Sequence, residues 1–323
     1  MTSSLASTTS AVPSRTRRVL AMFPGQGSQR AGMAAHLIEE YADAARVFDR
    51  AGELLGVPLA ELCTTGSVED LTPTEVAQPA IAVTGLATYG VLRSAGVEVD
   101  AVAGHSLGEY AALVAAGVLG FDDAVRLIGV RGTLMARVAQ RTPGVMVAVS
   151  GLEAEVLERL CAETNGIAEV GNYNEPHQSV LSGESAAVRA VAERARTAGA
   201  ERIVELRVDA PFHCSLMRVI EAEFTAATAE IDFSDPVVPL FSSVTGAPVT
   251  DGPQARALLC RQLAAPVRWV AVLGAAARAG ITDYLEVGPG RVLSGLTSRT
   301  VAEPTVRSTN DGRRLAAVVR AYR

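Results

Sequence analysis

Residues 104–108 read GHSLG, a serine between two glycines, after the small apolar run AVA and before the helix-forming stretch LGEYAAL. The G-x-S-x-G spacing suits a sharp strand-to-helix corner, because glycine on either side lets neighbouring backbone pass close and leaves the serine at the apex. A helix starting at Leu107 aims its free N–H groups and positive dipole end at any oxyanion formed beside the Ser106 hydroxyl. A glycine-flanked serine can also be a plain helix cap; the strand before it and the helix after it favour the nucleophile. A serine hydroxyl is a weak nucleophile at neutral pH and needs a base. The chain has four histidines. His36 stands beside Glu39 and Glu40 and is expected on a solvated helix face. His105 adjoins the serine, but neighbours at such a corner project differently, so it is expected to support the loop. His177 lies in a polar turn. His213, in VDAPFHCSLM, follows an alternating strand and Pro211 and precedes a helix, where the chain returns to the mouth of a sheet. Of the last two, His213 is the better placed base.

These residues need elements to carry them. Val19–Phe23 is an apolar run closed by PGQGSQ, which reads as a buried strand ending in a glycine-rich turn, and Val99–Ala103 reads as a second strand. Helices are expected over Met33–Tyr41, Val47–Leu55, Ala77–Ala95, Leu107–Ala116 and Asp122–Ala139. This alternation points to an α/β layer with a largely parallel sheet. From Gly144 the texture changes. Strand Val145–Val149, helix Glu153–Glu163, strands IAEVGNYN and QSVLSG, helix Ser185–Ala198 and strand Arg202–Val208 give the β-α-β-β-α-β order of a ferredoxin-like unit. The expected division is a leader over 1–17, a large subdomain over 18–142 and 210–310, and an inserted small subdomain over 143–209. In the last part Ser215–Ile231 and Gln254–Leu263 read as helices, PLFSS and Tyr284–Val287 as strands.

Composition narrows the class. The 323 residues are 49% hydrophobic and 20% charged with a formal charge of −6, which fits a globular chain and offers no basic surface for nucleic acid. Cys63, Cys161, Cys214 and Cys260 are far apart, with no Cys or His spacing that suits zinc, so reduced thiols and a cytoplasmic protein are expected. The opening MTSSLASTTSAVPSRT is rich in Ser and Thr without a central apolar stretch; it reads as a disordered leader and not as a secretory signal. No apolar run is long enough to span a membrane.

Seven blocks in order, FPGQGSQRAGM, GHSLGEY, VRG…M, NYN…P, FHCSLM, RQL…PVRW and EVGPGRVLSGL, resemble the malonyl-CoA:acyl carrier protein transacylases of fatty-acid synthesis and the acyltransferases of polyketide synthases. The resemblance runs from about Arg18 to Arg299. It implies an α/β-hydrolase-like core with an inserted ferredoxin-like subdomain, and a ping-pong transfer of malonyl from malonyl-CoA through Ser106 to the phosphopantetheine thiol of an acyl carrier protein. It implies His213 as base and then acid, oriented by a main-chain carbonyl near Gln262, with no carboxylate third member. The N–H groups of Gln26 and Leu107 would form the oxyanion hole. Arg131 would hold the free malonyl carboxylate in the planar, two-point manner of a guanidinium, and Phe212 would narrow the acyl pocket against a 2-methyl group.

The resemblance implies no metal and no bound cofactor, since CoA and phosphopantetheine arrive as substrates. It leaves two rivals: a same-fold transferase for an unusual acyl unit between carrier proteins, and a proofreading acyl hydrolase, for which a buried arginine in the acyl pocket is of no use. A scaffold that had lost the chemistry would have no need of Ser106, His213, Gln26 and Arg131 together. Arg194, Arg196, Arg202, Arg207, Arg268, Arg291 and Arg299 are candidates for docking an acidic carrier, provided they cluster. A discrete enzyme acting in trans is expected, and nothing in the sequence demands more than a monomer.

Overall fold

The structure, a computed structural model, describes residues 17–208 and 210–323, so the expected leader lies outside the described residues except for Arg17. Among these are ten strands: β1 (Val19–Phe23), β2 (Ala101–Gly104), β3 (Gly144–Ser150), β4 (Ala168–Glu175), β5 (Gln178–Glu184), β6 (Arg202–Glu205), β7 (Leu240–Phe241), β8 (Val267–Arg268), β9 (Asp283–Glu286) and β10 (Thr305–Ser308).

The first sheet has the order β10-β9-β1-β2-β7, parallel throughout. Every residue of β1, β2 and β9 is buried, as a parallel sheet covered by helices on both faces requires. That burial explains why VLAMF and AVAG are continuous small apolar runs and do not alternate. The chain leaves β1 toward β2 and β7 and later returns to β9 on the other side. Loops after β1, β2 and β9 therefore gather at one carboxyl edge, where the strand order reverses and open α/β sheets bind ligands. Phe23 pairs with Gly104, so the PGQG loop and the GHS corner leave the sheet side by side.

The second sheet has the order β6-β3-β5-β4-β8. Its four strands from 144–205 are antiparallel, and the helices Ala154–Ala162 and Ser185–Thr197 cover one face, the ferredoxin-like arrangement. Val145, Val147, Val149, Val170, Leu181, Val188 and Val191 fill the core between sheet and helices.

Two expected boundaries are corrected. The small sheet is not built from 143–209 alone, because β8 pairs parallel with β4 through Asn172↔Val267 and Tyr173↔Arg268. A two-residue strand carries no periodicity, so the sequence could not announce it. The large layer also runs past 310. Asp311 caps the helix Gly312–Tyr322, accepting from Arg314 N–H at 2.9 Å, and Leu315 and Val318 are buried in the main core. The expected helix Ser215–Ile231 is in fact a 3-10 segment, Ser215–Ile220, followed by a short helix, Glu221–Ala227.

Candidate active site

β2 ends at Gly104, and the helix Gly108–Ala115 starts four residues later, leaving His105–Leu107 to make the corner. Ser106 has φ 52, the left-handed region that an L-residue avoids at a cost of about 1–3 kcal/mol. The flanking glycines are steric necessities. A Cβ on Gly104 would lie 2.0 Å from the Gly108 carbonyl carbon, and one on Gly108 would lie 2.0 Å from the Phe23 oxygen. Both clashes are with backbone, which cannot rotate away. Gly108→Ala is therefore expected to destabilise the fold by about 3 kcal/mol or more, read as a lowered denaturation midpoint or loss of soluble protein.

The serine does not stand alone. Ser106 donates its hydroxyl hydrogen to His213 Nε2 across 2.6 Å. On the far side of the ring, His213 Nδ1 lies 3.1 Å from both the Gln262 and the Ala265 carbonyl oxygens. Carbonyls only accept, so Nδ1 carries the proton and Nε2 presents its lone pair to the serine. His213, like Ser106, has positive φ, here 61. Burial, the charge of Arg131 and His105 lower its pKa to about 3, so the ring is a neutral base through the physiological range.

Arg131, on the helix Phe121–Arg141, is 1% exposed and reaches the same spot. Its Nη2 donates to Ser106 Oγ at 3.0 Å and to Gln262 Oε1 at 3.3 Å, and its Nη1 donates to Gln78 Oε1 at 2.8 Å. The guanidinium carbon lies 5.7 Å from the centre of the Tyr110 ring, while Nε is buried without a protein partner. All three hydrogen-bonding partners are neutral. Burial lowers the pKa of Arg131 and raises that of the nearby Glu109. The result is a buried cation beside a nucleophile, with room in its hydrogen bonding for an anion.

Gln262 ties these groups together. Its Nε2 donates to Glu109 Oε2 at 2.6 Å and to the Ser106 carbonyl at 3.0 Å, which forces its Oε1 toward Arg131. Glu109 accepts from Ser243 as well. Sequence reasoning missed Glu109, Ser243, Gln78 and Ala265. Gln78 did carry a signal, being a polar residue in the otherwise apolar helical run AQPAIAV.

Among the described residues neither the Gln26 nor the Leu107 N–H donates to a protein acceptor; Leu107 directly follows Ser106, and the Gln26 turn packs against His105 on its other side. Gly25 and Gly27 shape the Gln26 turn: a Cβ on Gly25 would meet the His105 oxygen at 2.7 Å, and Gly27 has φ 97. Phe212 is buried one residue before His213, within the core cluster that holds Leu107, Met135 and Met146. His105 lies 2.9 Å from Asn174 Oδ1 and packs edge-on against Trp269, supporting the loop as expected. His177 is exposed beside Glu153. His36 departs from expectation: it is half-buried against Gly312, with Nε2 shut off from solvent, because the helix Gly312–Tyr322 covers it. Glu286 caps the helix Val292–Thr300, accepting from Leu293 N–H at 3.1 Å and Ser294 N–H at 2.7 Å, which accounts for the carboxylate in EVGPGRVLSGL.

Residues 21–320 match the acyl transferase domain family. The chain is 38% identical over 294 residues to the malonyl CoA-acyl carrier protein transacylase of Haemophilus influenzae, covering 90% of this chain and 94% of that one. It is also 38% identical over 301 residues to the protein of the same name from Escherichia coli strain K12, covering 92% and 97%. Among solved structures, a malonyl-transacylase in complex with its type II PKS acyl-carrier protein superposes with TM-score 0.91 at 36% identity, covering 94% of this chain and 99% of that one. An acyl carrier protein S-malonyltransferase from Vibrio cholerae gives 0.89 at 38%, covering 93% and 99%. Matched by that family model over residues 21–320, and by these relatives over about nine-tenths of its length, the chain belongs to the acyl transferase domain family.

Proposed function

We propose that the protein moves a malonyl group from malonyl-CoA to the phosphopantetheine thiol of an acyl carrier protein, through an ester on Ser106. The observation that carries this reading is the placement of Arg131 Nη2 3.0 Å from Ser106 Oγ, in a site where the hydrogen-bond partners of the guanidinium among the described residues are all neutral. An acyl group bound to Ser106 brings its far end to that cation, and malonyl ends in a carboxylate.

In the first half-reaction Ser106 Oγ attacks the thioester carbonyl while His213 Nε2 takes its proton. The Gln26 and Leu107 N–H groups hold the oxyanion, each such donor being worth about 3 kcal/mol of barrier. The carbon–sulfur bond breaks, and His213 returns the proton to the departing CoA thiolate. In the second half-reaction the carrier thiol gives its proton to His213, its sulfur attacks the ester, and Ser106 leaves with the proton. Every proton is handled by one imidazole, so these steps draw on no metal or bound cofactor. Phe212, buried before His213, is assigned to limiting the width of the acyl site.

Of the arginines considered for carrier docking, Arg194, Arg196 and Arg299 are paired with Glu163, Glu193 and Glu175. Arg202, Arg207, Arg268 and Arg291 are exposed and are the better candidates. No helix among the described residues is long and apolar enough to cross a membrane, and the four cysteines are free thiols; on the latter ground we place the protein in the cytoplasm.

Intact mass after incubation with malonyl-CoA tests the reading. A malonyl adduct is expected, absent in Ser106→Ala, and removed by a phosphopantetheinylated carrier protein. An adduct that water clears as fast as the carrier does would point to the hydrolase, and an unmodified protein would overturn the assignment.

A further inference from the structure

We propose that Glu169 is a positioning residue for His213, clamping the backbone that follows the base and so fixing its approach to Ser106. The inference rests on the reading of His213 as the base.

Ser106 hangs from β2 of the large sheet, whereas His213 lies on the segment that leaves the small sheet after β6. The two carbonyls on Nδ1 orient the ring but leave the backbone free. That backbone has φ 61, a conformation that persists only where its surroundings over-determine it. The small sheet supplies the constraint. Glu169 on β4 and Ser182 on β5 are directly paired across the strands, so their side chains rise from the same face. Each grips one flank of the histidine. Ser182 Oγ, fully buried, donates to the Phe212 carbonyl at 2.6 Å. Glu169 accepts from the Ser215 N–H at 3.1 Å and, with its other oxygen, from the Ser215 hydroxyl. Between them Gly171 leaves little space: a Cβ there would lie 3.2 Å from the Phe212 oxygen and 3.5 Å from His213 Cβ. A carboxylate is suited to the outer position because it offers only acceptors, and the segment there presents two donors.

The test compares Glu169→Ala, Glu169→Gln and Ser215→Ala with the wild type in malonyl loading and in transfer to the carrier. Glu169→Ala is expected to lower kcat ten- to a hundredfold with KM within twofold, and to slow both half-reactions by the same factor, since His213 serves both. The preference for malonyl over acetyl, which Arg131 governs, stays unchanged. In Glu169→Gln the amide oxygen accepts from the Ser215 N–H and the amide nitrogen donates to its hydroxyl oxygen, so activity returns to within threefold. Ser215→Ala, which loses one bond of the two, falls two- to fivefold and decides the matter alone where Glu169→Ala does not fold. Unchanged kcat in both truncations overturns the proposal, as does a parallel change in KM and acyl preference, the mark of a generally loosened site. His213→Ala in the same assay separates the premises: loading that survives it removes the base reading itself.

Discussion

Arg131→Ala is expected to slow malonyl loading of Ser106 roughly a thousandfold while acetyl loading stays within a few-fold of wild type. Truncating one member of a buried charged pair costs about 2–5 kcal/mol, and 4 kcal/mol is about three powers of ten in rate. Acetyl has nothing to offer the guanidinium and so loses nothing when it goes. The protein itself should tolerate the change. Arg131 is a buried cation whose hydrogen-bonding partners are neutral, so its removal relieves a desolvation cost while leaving Gln78 Oε1 and Gln262 Oε1 without their donor. Arg131→Lys is not expected to restore malonyl loading, because an ammonium cannot present two parallel donors and cannot reach Gln78, Gln262 and Ser106 from one plane. Intact-mass time courses with malonyl-CoA and acetyl-CoA read both numbers. Malonyl loading within fivefold of wild type in the alanine variant would sink the carboxylate clamp and reopen the hydrolase reading.

What the sequence made legible follows the physics of short range. The GHSLG corner was readable because its glycines answer to local clashes, 2.0 Å from backbone at both Gly104 and Gly108. The β-α-β-β-α-β unit was readable because short apolar strands bounded by turn residues flank two helices with apolar faces. Arg131 was reached only through the resemblance: alone, VRG on an amphipathic helix is indistinguishable from a surface arginine. The long-range polar contacts were out of reach. Ala265 joins the site through its backbone, which no side chain advertises, and Glu109 is linked to Gln262 across 153 residues. The large layer runs past the expected 310 because the helix Gly312–Tyr322 lies beyond the last matched block, although its cap Asp311 and buried Leu315 and Val318 stand in the sequence. The covering of His36 was lost with it.

The same geometry fixes a pH dependence whose acidic limb lies far below that of an ordinary histidine. A folded-state pKa of about 3 leaves His213 neutral, and so competent as a base, down to well below the range where an unperturbed imidazole protonates. Loading measured as kcat/KM should therefore be nearly flat from pH 7 to pH 5, whereas an unperturbed group near 6.5 would retain only about 4% of its neutral form across that interval. A drop of tenfold or more by pH 5 in protein that remains folded would contradict the assignment. The complex should behave differently. Burial is the largest cause of the shift and the Arg131 charge the next, and a malonyl carboxylate paired with Arg131 cancels that second contribution. The imidazole becomes easier to protonate once malonyl-CoA is bound, so the acidic limb of kcat, which reports the complex, should lie at higher pH than that of kcat/KM, which reports the free enzyme. Acetyl-CoA leaves Arg131 uncompensated, and its two limbs should coincide. In Arg131→Ala the kcat/KM limb itself moves up, toward the position that malonyl imposes on the wild type. One residue thus links acyl choice to the basicity of the catalytic imidazole, and the separation between the two limbs measures that link without any substitution at His213.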